Sequence, residues 1–494
     1  MAYGLRSKPL TGFLSRYFDT SLTPFKAGIL ALALIGMTPF VVAADQKASA
    51  NPCNLSEADF AGLNGDFSAD VRAINSFKST IARLLKEERF QELDCIADHA
   101  RSGKERLPGG DWKLHALYGG LYSPNQYPVT RATGVEWNAH LQRLQQWVAA
   151  RPESVTARVA LARSYLNYAY DARGQGLSNT VSDSGWKLFR ERTAEARRIL
   201  EEAKHLSIKC PEWYLGMLLV AQNEGWSASD ARSLFEEGFK LEAGYFYDAR
   251  VLADYLQPKW AGEEGDTAKF MQEIADRIGG DQGDILYFEV ATTLICGCDD
   301  EPHLSMERIV RGFEASEKQY GVSMLNLNLI AHLATNNKET DPVTADKVFA
   351  RIGDQWDEQT WDKKEDFDRT KQWAATWAPI VAKTRAREAK ALANMQTPEG
   401  ARYKVAFEKP YREIVRQCVG NAGTSSGKIE ALVSVGTNGT VEDVRIGGPG
   451  GMCVYQKLLA LQHEKTPVFP PPPQAPYLLK VDLDWAEFPA VAAR

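Results

Sequence analysis

Seven cysteines carry the most reactive side chains of this sequence, and their positions suggest how they pair. In an oxidising compartment such thiols are expected to form disulfides. Cys418 and Cys453 both fall near the C-terminus and form the first predicted pair. Cys53 with Cys95 is the second predicted pair, which ties the start of the mature chain to its first helices.

The three other cysteines, Cys210, Cys296 and Cys298, leave an odd thiol. A single glycine separates Cys296 from Cys298, which is too close for a usual bridge between the two. Buried or otherwise bonded cysteines are the favoured interpretation, and a redox or metal-binding role for this Cys-Gly-Cys segment is the alternative.

Metal-binding patterns are weak. No two of the seven histidines lie within a few residues of each other, so the histidine spacing of zinc sites is missing. Acidic residues cluster beside glycines in 262–266 and 280–284, but neither stretch has alternating oxygen ligands closed by a glutamate, as a calcium loop requires. Both are better explained as turns and helix caps. We therefore predict neither a metal nor a cofactor.

Motifs for nucleophilic or phosphate chemistry are missing as well. The sequence has no Gly-x-Ser-x-Gly elbow, phosphate loop or dinucleotide fingerprint. These absences favour a protein that is not an enzyme. The alternative is a glycan- or peptide-processing hydrolase that gathers carboxylates from the aromatic and acidic middle region.

Aromatic residues are concentrated in that middle region. On a helical array such residues more often form the core than a ligand cage. The alternative is a concave aromatic groove for a peptide or glycan. The candidate binding residues are Trp213, Tyr214, Trp226, Tyr245, Tyr247 and Trp260.

The N-terminus predicts export. Four basic residues precede an apolar run over 28–44, which ends Val-Val-Ala-Ala and allows cleavage after Ala43 or Ala44. The run is short for a membrane span. We predict a signal peptide over 1–44, a linker over 45–57 and the periplasm of a Gram-negative bacterium. An inner-membrane anchor is the alternative, and only a retained anchor would make the membrane a partner.

Length and charge limit the remaining classes. With 494 residues the chain predicts two or three domains. The net charge of -6, without basic runs, argues against a nucleic-acid partner.

Helical periodicity dominates 58–395. Residues 152–170 have the proline, small residues and aromatic spacing of a tetratricopeptide-type helix, and 199–206 resembles 234–241. Short ordered motifs in this region resemble an uncharacterised bacterial helical family, a domain of unknown function, over about 70–362. The resemblance implies tetratricopeptide-like helices and no activity. The motifs are ARGQG (172–176), CPEWY (210–214), GW (225–226), PKW (258–260), GEEGD (262–266), GGDQGDILY (279–287) and NLN (326–328).

Residues 396–494 predict a small α+β domain with an antiparallel sheet. Apolar residues alternate from Ile429 to Val435, Asn438-Gly439 predicts a tight hairpin turn with positive φ at both residues, and the spacing of Val441 and Val444 indicates a bulge. A helix over 453–463, a proline-rich crossover and a strand over 477–484 follow.

This order resembles the C-terminal domain of the TonB/TolA type, through the residues 439–444, 465–473 and 477–484. The resemblance implies a periplasmic module whose sheet edge pairs with a partner strand. The alternative is a sheet that only packs against the helical domain. The chain has a helical domain in place of a long proline-rich spacer, which disfavours a membrane-anchored energy transducer.

The sequence thus predicts a multidomain, mainly α protein: an irregular tetratricopeptide-like α-solenoid followed by a small C-terminal α+β domain. The predicted function is that of an exported, non-enzymatic interaction or scaffold protein, with an unidentified protein or peptide as its partner.

Overall fold

The computed structural model describes Cys53 and residues 69–125, 131–174, 176–294, 303–337, 340–418, 428–447, 451–473, 477–484 and 487–488. The predicted leader over 1–44, the linker over 45–57 except Cys53, and the Cys-Gly-Cys segment at 296–298 lie outside these residues. The chain divides into two compact units, Met1–Ala375 and Thr376–Arg494.

The first unit is helical throughout its described part, as the periodicity predicts. One further helix, α16 (Lys364–Met395), runs from the first unit into the second. The helices before it are α1 (Ala69–Lys86), α2 (Phe90–Ser102), α3 (Lys113–Gly119), α4 (Gly134–Ala150), α5 (Val155–Arg173), α6 (Asp183–Ala203), α7 (Pro211–Glu224), α8 (Ala228–Leu241), α9 (Phe246–Tyr255), α10 (Asp266–Ile278), α11 (Gly280–Ala291), α12 (Met306–Tyr320), α13 (Met324–Asn336), α14 (Pro342–Ile352) and α15 (Glu358–Trp361).

Side-chain caps fix where many of these helices begin. Thr133 forms a capping box with Glu136 at the start of α4, where each side chain satisfies a backbone N–H of the other residue. A serine hydroxyl accepts from the third helical N–H in the same way at α5, α6, α8, α12 and α13. The helix starts are therefore determined largely by local sequence.

The helices of the first unit divide into inner and outer ones. α7 contacts α5 and α9, and α9 also contacts α11, so these helices stack in an inner row. Most residues of α7, α9 and α11 are buried, whereas α8, α10 and α12 bury a single face. Buried and amphipathic helices thus alternate along the chain, and the buried helices of the inner row form the core of this unit.

The N-terminal helices join the two ends of this arrangement. α1 contacts α13, and Ser323 at the start of α13 donates a 2.6 Å hydrogen bond to the Asp70 carboxylate. The Asn326 side chain donates to the backbone oxygen of Gly109 at 3.1 Å. These contacts connect the N-terminal segment of the unit to α13, which comes more than 200 residues later in the chain.

The second unit contains α17 (Pro398–Arg416), α18 (Gly451–Glu464) and a sheet of three described strands. The strands are β1 (Lys428–Val435), β2 (Val441–Gly447) and β3 (Tyr477–Asp484). Their order is β2-β1-β3 and both pairings are antiparallel. The predictions of a mainly helical chain and a small C-terminal antiparallel sheet are confirmed.

The β1–β2 hairpin contains the predicted bulge and turns at the predicted residues, but with a different loop conformation. Val435 pairs with Val441 and Ser434 with Asp443, so Glu442 is the extra residue. Only Gly439 of the turn has a positive φ, +81°. Gly436 N–H donates to the Thr440 oxygen at 2.9 Å, so the loop that it closes has three residues, 437–439, and is longer than a two-residue Asn-Gly loop. A Cβ at Gly439 would lie 2.0 Å from the Phe469 oxygen, so glycine is required here.

A separate apolar core holds the second unit together. Alternate residues of β1, among them Ile429, Ala431 and Val433, share this core with α17 residues such as Phe407 and Tyr411. Throughout the described parts of the chain, no helix is long and apolar enough to cross a membrane.

Candidate functional site: the central polar cluster

Five ionisable or polar residues meet in the middle of the first unit, and we call them the central polar cluster. His115 lies on α3, Arg163 on α5 and Glu212 in the first turn of α7, while Tyr245 and Asp248 lie at the start of α9. The inner helices and α3 therefore position the cluster together.

Glu212 is the centre of the cluster. Its side chain is fully buried, its Oε1 accepts a 2.6 Å hydrogen bond from the Tyr245 hydroxyl, and the same oxygen contacts His115 Nδ1. Burial raises the pKa of the Glu212 carboxyl, but His115 and Arg163 outweigh burial and hold this pKa below its ordinary value. Glu212 is therefore ionised.

Burial lowers the pKa of His115. The negative charge of Glu212 opposes this change, whereas the positive charges of Arg163 and Lys78 lower the pKa further. His115 Nδ1 donates its N–H to the Glu212 carboxylate. The Tyr247 ring stacks on the imidazole with 3.6 Å between ring centroids, which fixes the orientation of His115.

Arg163 supplies the positive charge that balances Glu212. Its side chain is fully buried, and Nη1 lies 3.7 Å from Glu212 Oε2. Within the described residues, none of the three guanidinium nitrogens has a hydrogen-bond partner. The Glu212 charge thus carries most of the compensation for burying this cation.

Asp248 completes the cluster, and its surroundings favour the protonated form of its carboxyl group. Burial raises its pKa well above the ordinary value, the negative charge of Glu212 raises it further, and Arg163 opposes both. A Cβ at Gly238 would lie 2.9 Å from Asp248 Oδ2, so the glycine on α8 lets α9 approach closely. The pKa values of the two neighbouring carboxyl groups are therefore shifted in opposite directions.

A second group of charged residues lies beside the cluster, on the other side of Tyr247. The Tyr247 hydroxyl donates to Asp111 at 2.9 Å, and Arg250 donates to Glu289 at 2.7 Å. Burial raises the pKa of Glu289 to about 7, although Arg250 opposes the change. Arg106 stacks over the Trp112 ring at 3.8 Å.

The N-terminal segment covers the inner helices at this point. Trp112 Nε1 donates to the Gly244 oxygen at 3.0 Å, and His115 and Asp111 make the contacts with Glu212 and Tyr247 described above. The alternative prediction was a concave groove for a peptide or glycan. At this point the inner surface is covered by the chain's own N-terminal segment.

The six predicted binding aromatics lie in different environments. Tyr245 and Tyr247 are buried together, with ring centroids 5.2 Å apart. Trp213 is buried and its Nε1 donates to the Leu200 oxygen, while Tyr214 and Trp226 are partly buried. Trp260 alone is exposed, at 45%. Of the six, only Tyr245 and Tyr247 join the charged groups.

Both predicted cysteine pairs are at bonding distance. Cys53–Cys95 and Cys418–Cys453 have Cα atoms 5.6 and 5.9 Å apart. Cys210 is a buried thiol whose Sγ lies 3.4 Å from the Tyr118 hydroxyl.

Sequence reasoning missed the central polar cluster and one further group. His99 lies beside the first disulfide, and one ligand atom from each of Cys53, Cys95 and His99 falls within 4.8 Å of the others. The four-residue spacing of Cys95 and His99 was the available signal, since it places both on one helix face. No comparable local signal marks the residues of the cluster.

A family model described as a domain of unknown function (DUF4034) matches residues 78–202. The match begins within α1 and ends within α6, so it includes His115 and Arg163 but not Glu212, Tyr245 or Asp248. The predicted resemblance to a domain of unknown function is confirmed over this range. No curated protein and no solved structure matches the chain.

The fold and the comparison together define a mostly helical protein that contains a segment similar to a domain of unknown function.

Proposed function

We propose that this chain is an exported, non-enzymatic interaction or scaffold protein of the periplasm. It binds partner proteins or peptides through a tetratricopeptide-like helical array and a C-terminal module of the TonB/TolA type.

The second unit carries this proposal. It has its own apolar core and its own disulfide, and none of its described carboxylate, guanidinium or ammonium groups is buried. Its described charged groups therefore lie at the surface, where a partner can contact them. The element order of helix, hairpin, helix and strand on which the TonB/TolA resemblance rests supports the same interpretation.

The outer face of α17 is the surface that we assign to partner binding. Val405 is 72% exposed on this helix. A shallow depression beside it is lined by both apolar and charged side chains, a mixture that suits a protein surface. The lining residues are Val405, Glu408, Lys409, Pro410, Arg412, Glu413 and Arg416.

The first unit supports a structural role for its polar residues. Glu212 and Asp248 are buried, and Glu212 is engaged by His115, Tyr245 and Arg163. A hydrolase that used these carboxyl groups would need a substrate and water to reach them. Their burial therefore favours the interaction protein over the hydrolase alternative.

Site-specific photo-crosslinking tests the proposal. A photo-reactive amino acid replaces Val405 in the full chain, and the matched control replaces Val135, which is 79% exposed on α4 of the first unit. We expect one discrete crosslinked product from position 405 in intact cells, several-fold weaker when Arg412→Glu and Arg416→Glu are added. Equal products from both positions, or no discrete product from position 405, would contradict the proposed surface.

A further inference from the structure

The two disulfides differ in their surroundings. Ligand atoms of Cys53, Cys95 and His99 lie within 4.8 Å of one another, and no other group of three such residues occurs in the described part of the chain. Cys418 and Cys453 accordingly have no third ligand of this kind beside them. The two sulfur atoms of the first disulfide therefore form a cluster with the His99 imidazole.

Helix α2 holds two of the three side chains in place. Cys95 and His99 are four residues apart and share one face of α2. Leu93, Ile96 and Ala97 bury other positions of the helix in the core of the first unit. Cys95 is partly buried and His99 is exposed, so solvent reaches the cluster from the His99 side.

We propose that Cys53, Cys95 and His99 form a thiol-gated site for a divalent cation of the zinc class. The disulfide closes the site, and reduction opens it. Thiolate sulfur and imidazole nitrogen are the ligands that Zn²⁺ prefers, and three protein ligands leave the fourth tetrahedral position to water. This inference goes beyond the proposed binding function and does not depend on it.

The chemistry balances in two steps. Two electrons from the reductant break the S–S bond. A dithiol gives up its two protons to the two sulfur atoms and is oxidised to a disulfide; a phosphine is oxidised to its oxide by a water molecule, which supplies the oxygen and the two protons. Zn²⁺ then forms two Zn–S bonds, releases the two protons and accepts a lone pair from His99. An oxidant that removes two electrons from the thiolates restores the disulfide and releases the cation.

The test uses the full chain with Cys296→Ser and Cys298→Ser, because the Cys-Gly-Cys segment offers thiols of its own. Zinc binding is measured by competition with a chromophoric chelator, before and after reduction by a phosphine, which supplies no thiol ligand. We expect a single zinc ion per reduced chain and no binding at the same concentration to the oxidised chain.

Two variants locate the site. His99→Ala removes an exposed ligand and leaves the disulfide intact, so folding is preserved. Loss of a residue that only hydrogen-bonds to a metal ligand weakens metal binding roughly 10–100-fold. Loss of the ligand His99 itself should weaken zinc binding to the reduced chain by at least as much. The matched control, Cys418→Ser with Cys453→Ser, should bind zinc as tightly as the reduced parent. Cobalt in place of zinc should show a thiolate charge-transfer band in the control that Cys95→Ser lacks.

Several results would overturn the site. They are equal zinc binding by oxidised and reduced chains, unchanged binding in His99→Ala, and a cobalt–thiolate band that survives Cys95→Ser. Far-UV circular dichroism accompanies each measurement. A reduced chain that has unfolded and binds no zinc also counts against the proposal, because the folded site then does not survive reduction.

Discussion

Among the residues that the structure describes, the first unit buries charged side chains and the second does not. Arg163 and Glu212 are completely buried in the first unit, with Asp248 beside them. The core of the second unit is made of aliphatic and aromatic side chains, and its buried polar residues in the described part are Ser434 and Thr440. Yet each unit has its own core and, within its described residues, one disulfide.

This difference shows two ways of stabilising a unit. An apolar core is stabilised by the burial of apolar surface, and it tolerates substitution by apolar side chains of similar volume. A buried charge gains stability only with its partners in place, and losing one partner costs more than the pair contributes. The free energy of unfolding of the first unit should therefore depend strongly on single partners and on pH, and that of the second unit on packing and on its disulfide.

Glu212→Ala is the largest expected perturbation. It leaves the Arg163 cation buried without its counter-charge, which should lower the free energy of unfolding of the first unit by about 3–5 kcal/mol. Hydrogen exchange read by mass spectrometry should show lost protection in α5, α7 and α9 and unchanged protection in β1. The matched double variant Arg163→Met, Glu212→Leu should be more stable than Glu212→Ala. Equal loss of protection in β1 would mean that the two units do not respond separately.

Removal of the second disulfide is the reciprocal experiment. Cys418→Ser with Cys453→Ser frees a loop with a sequence separation of 35 residues. The unfolded second unit gains conformational freedom, so its stability should fall by about 2–4 kcal/mol. Hydrogen exchange should be faster in β1, β2 and β3 while α7 keeps its protection. A comparable change in α7 would contradict the contrast between the units.

Glu289→Gln tests the pH dependence of the first unit. Burial raises the pKa of Glu289 from 4.5 to about 7 in the folded protein. The protonated form is thus favoured by folding, so this contribution to stability is fully present below about pH 4.5 and is lost as pH rises through about 7.

Relative to Glu289→Gln, the parent should therefore lose about 1–3 kcal/mol of stability between pH 4.5 and pH 8. Urea unfolding of both proteins at the two pH values measures this difference. The raised pKa values of Asp248 and Asp254 affect parent and variant alike, so they cancel in the comparison. Parallel pH profiles of parent and variant would show that Glu289 does not titrate as described.

The sequence was most informative where contacts are local. Strand β3 occupies the predicted residues 477–484, and the bulge falls at Glu442 between Val441 and Val444. The predicted helix over 453–463 is present as Gly451–Glu464. The turn falls at the predicted residues 437–440, but its loop has three residues in place of two, and only Gly439 has a positive φ.

The sequence was least informative about contacts between distant residues. Tyr245 and Tyr247 were grouped with Trp213 and Trp260 because all are aromatic, but only the two tyrosines join the charged groups. Trp260 is exposed instead. Residue type gives no indication of which face of a helix a neighbouring helix will cover.

By itself, the sequence determined the helical character of the first unit, the hairpin and last strand of the second, and the two cysteine pairs. Caps, apolar periods and bulge spacing act over a few residues, so they can be read along the chain. The tertiary structure alone brought His115, Arg163, Glu212 and Asp248 together. Their protonation depends on burial and on charges from four helices, and packing decides both.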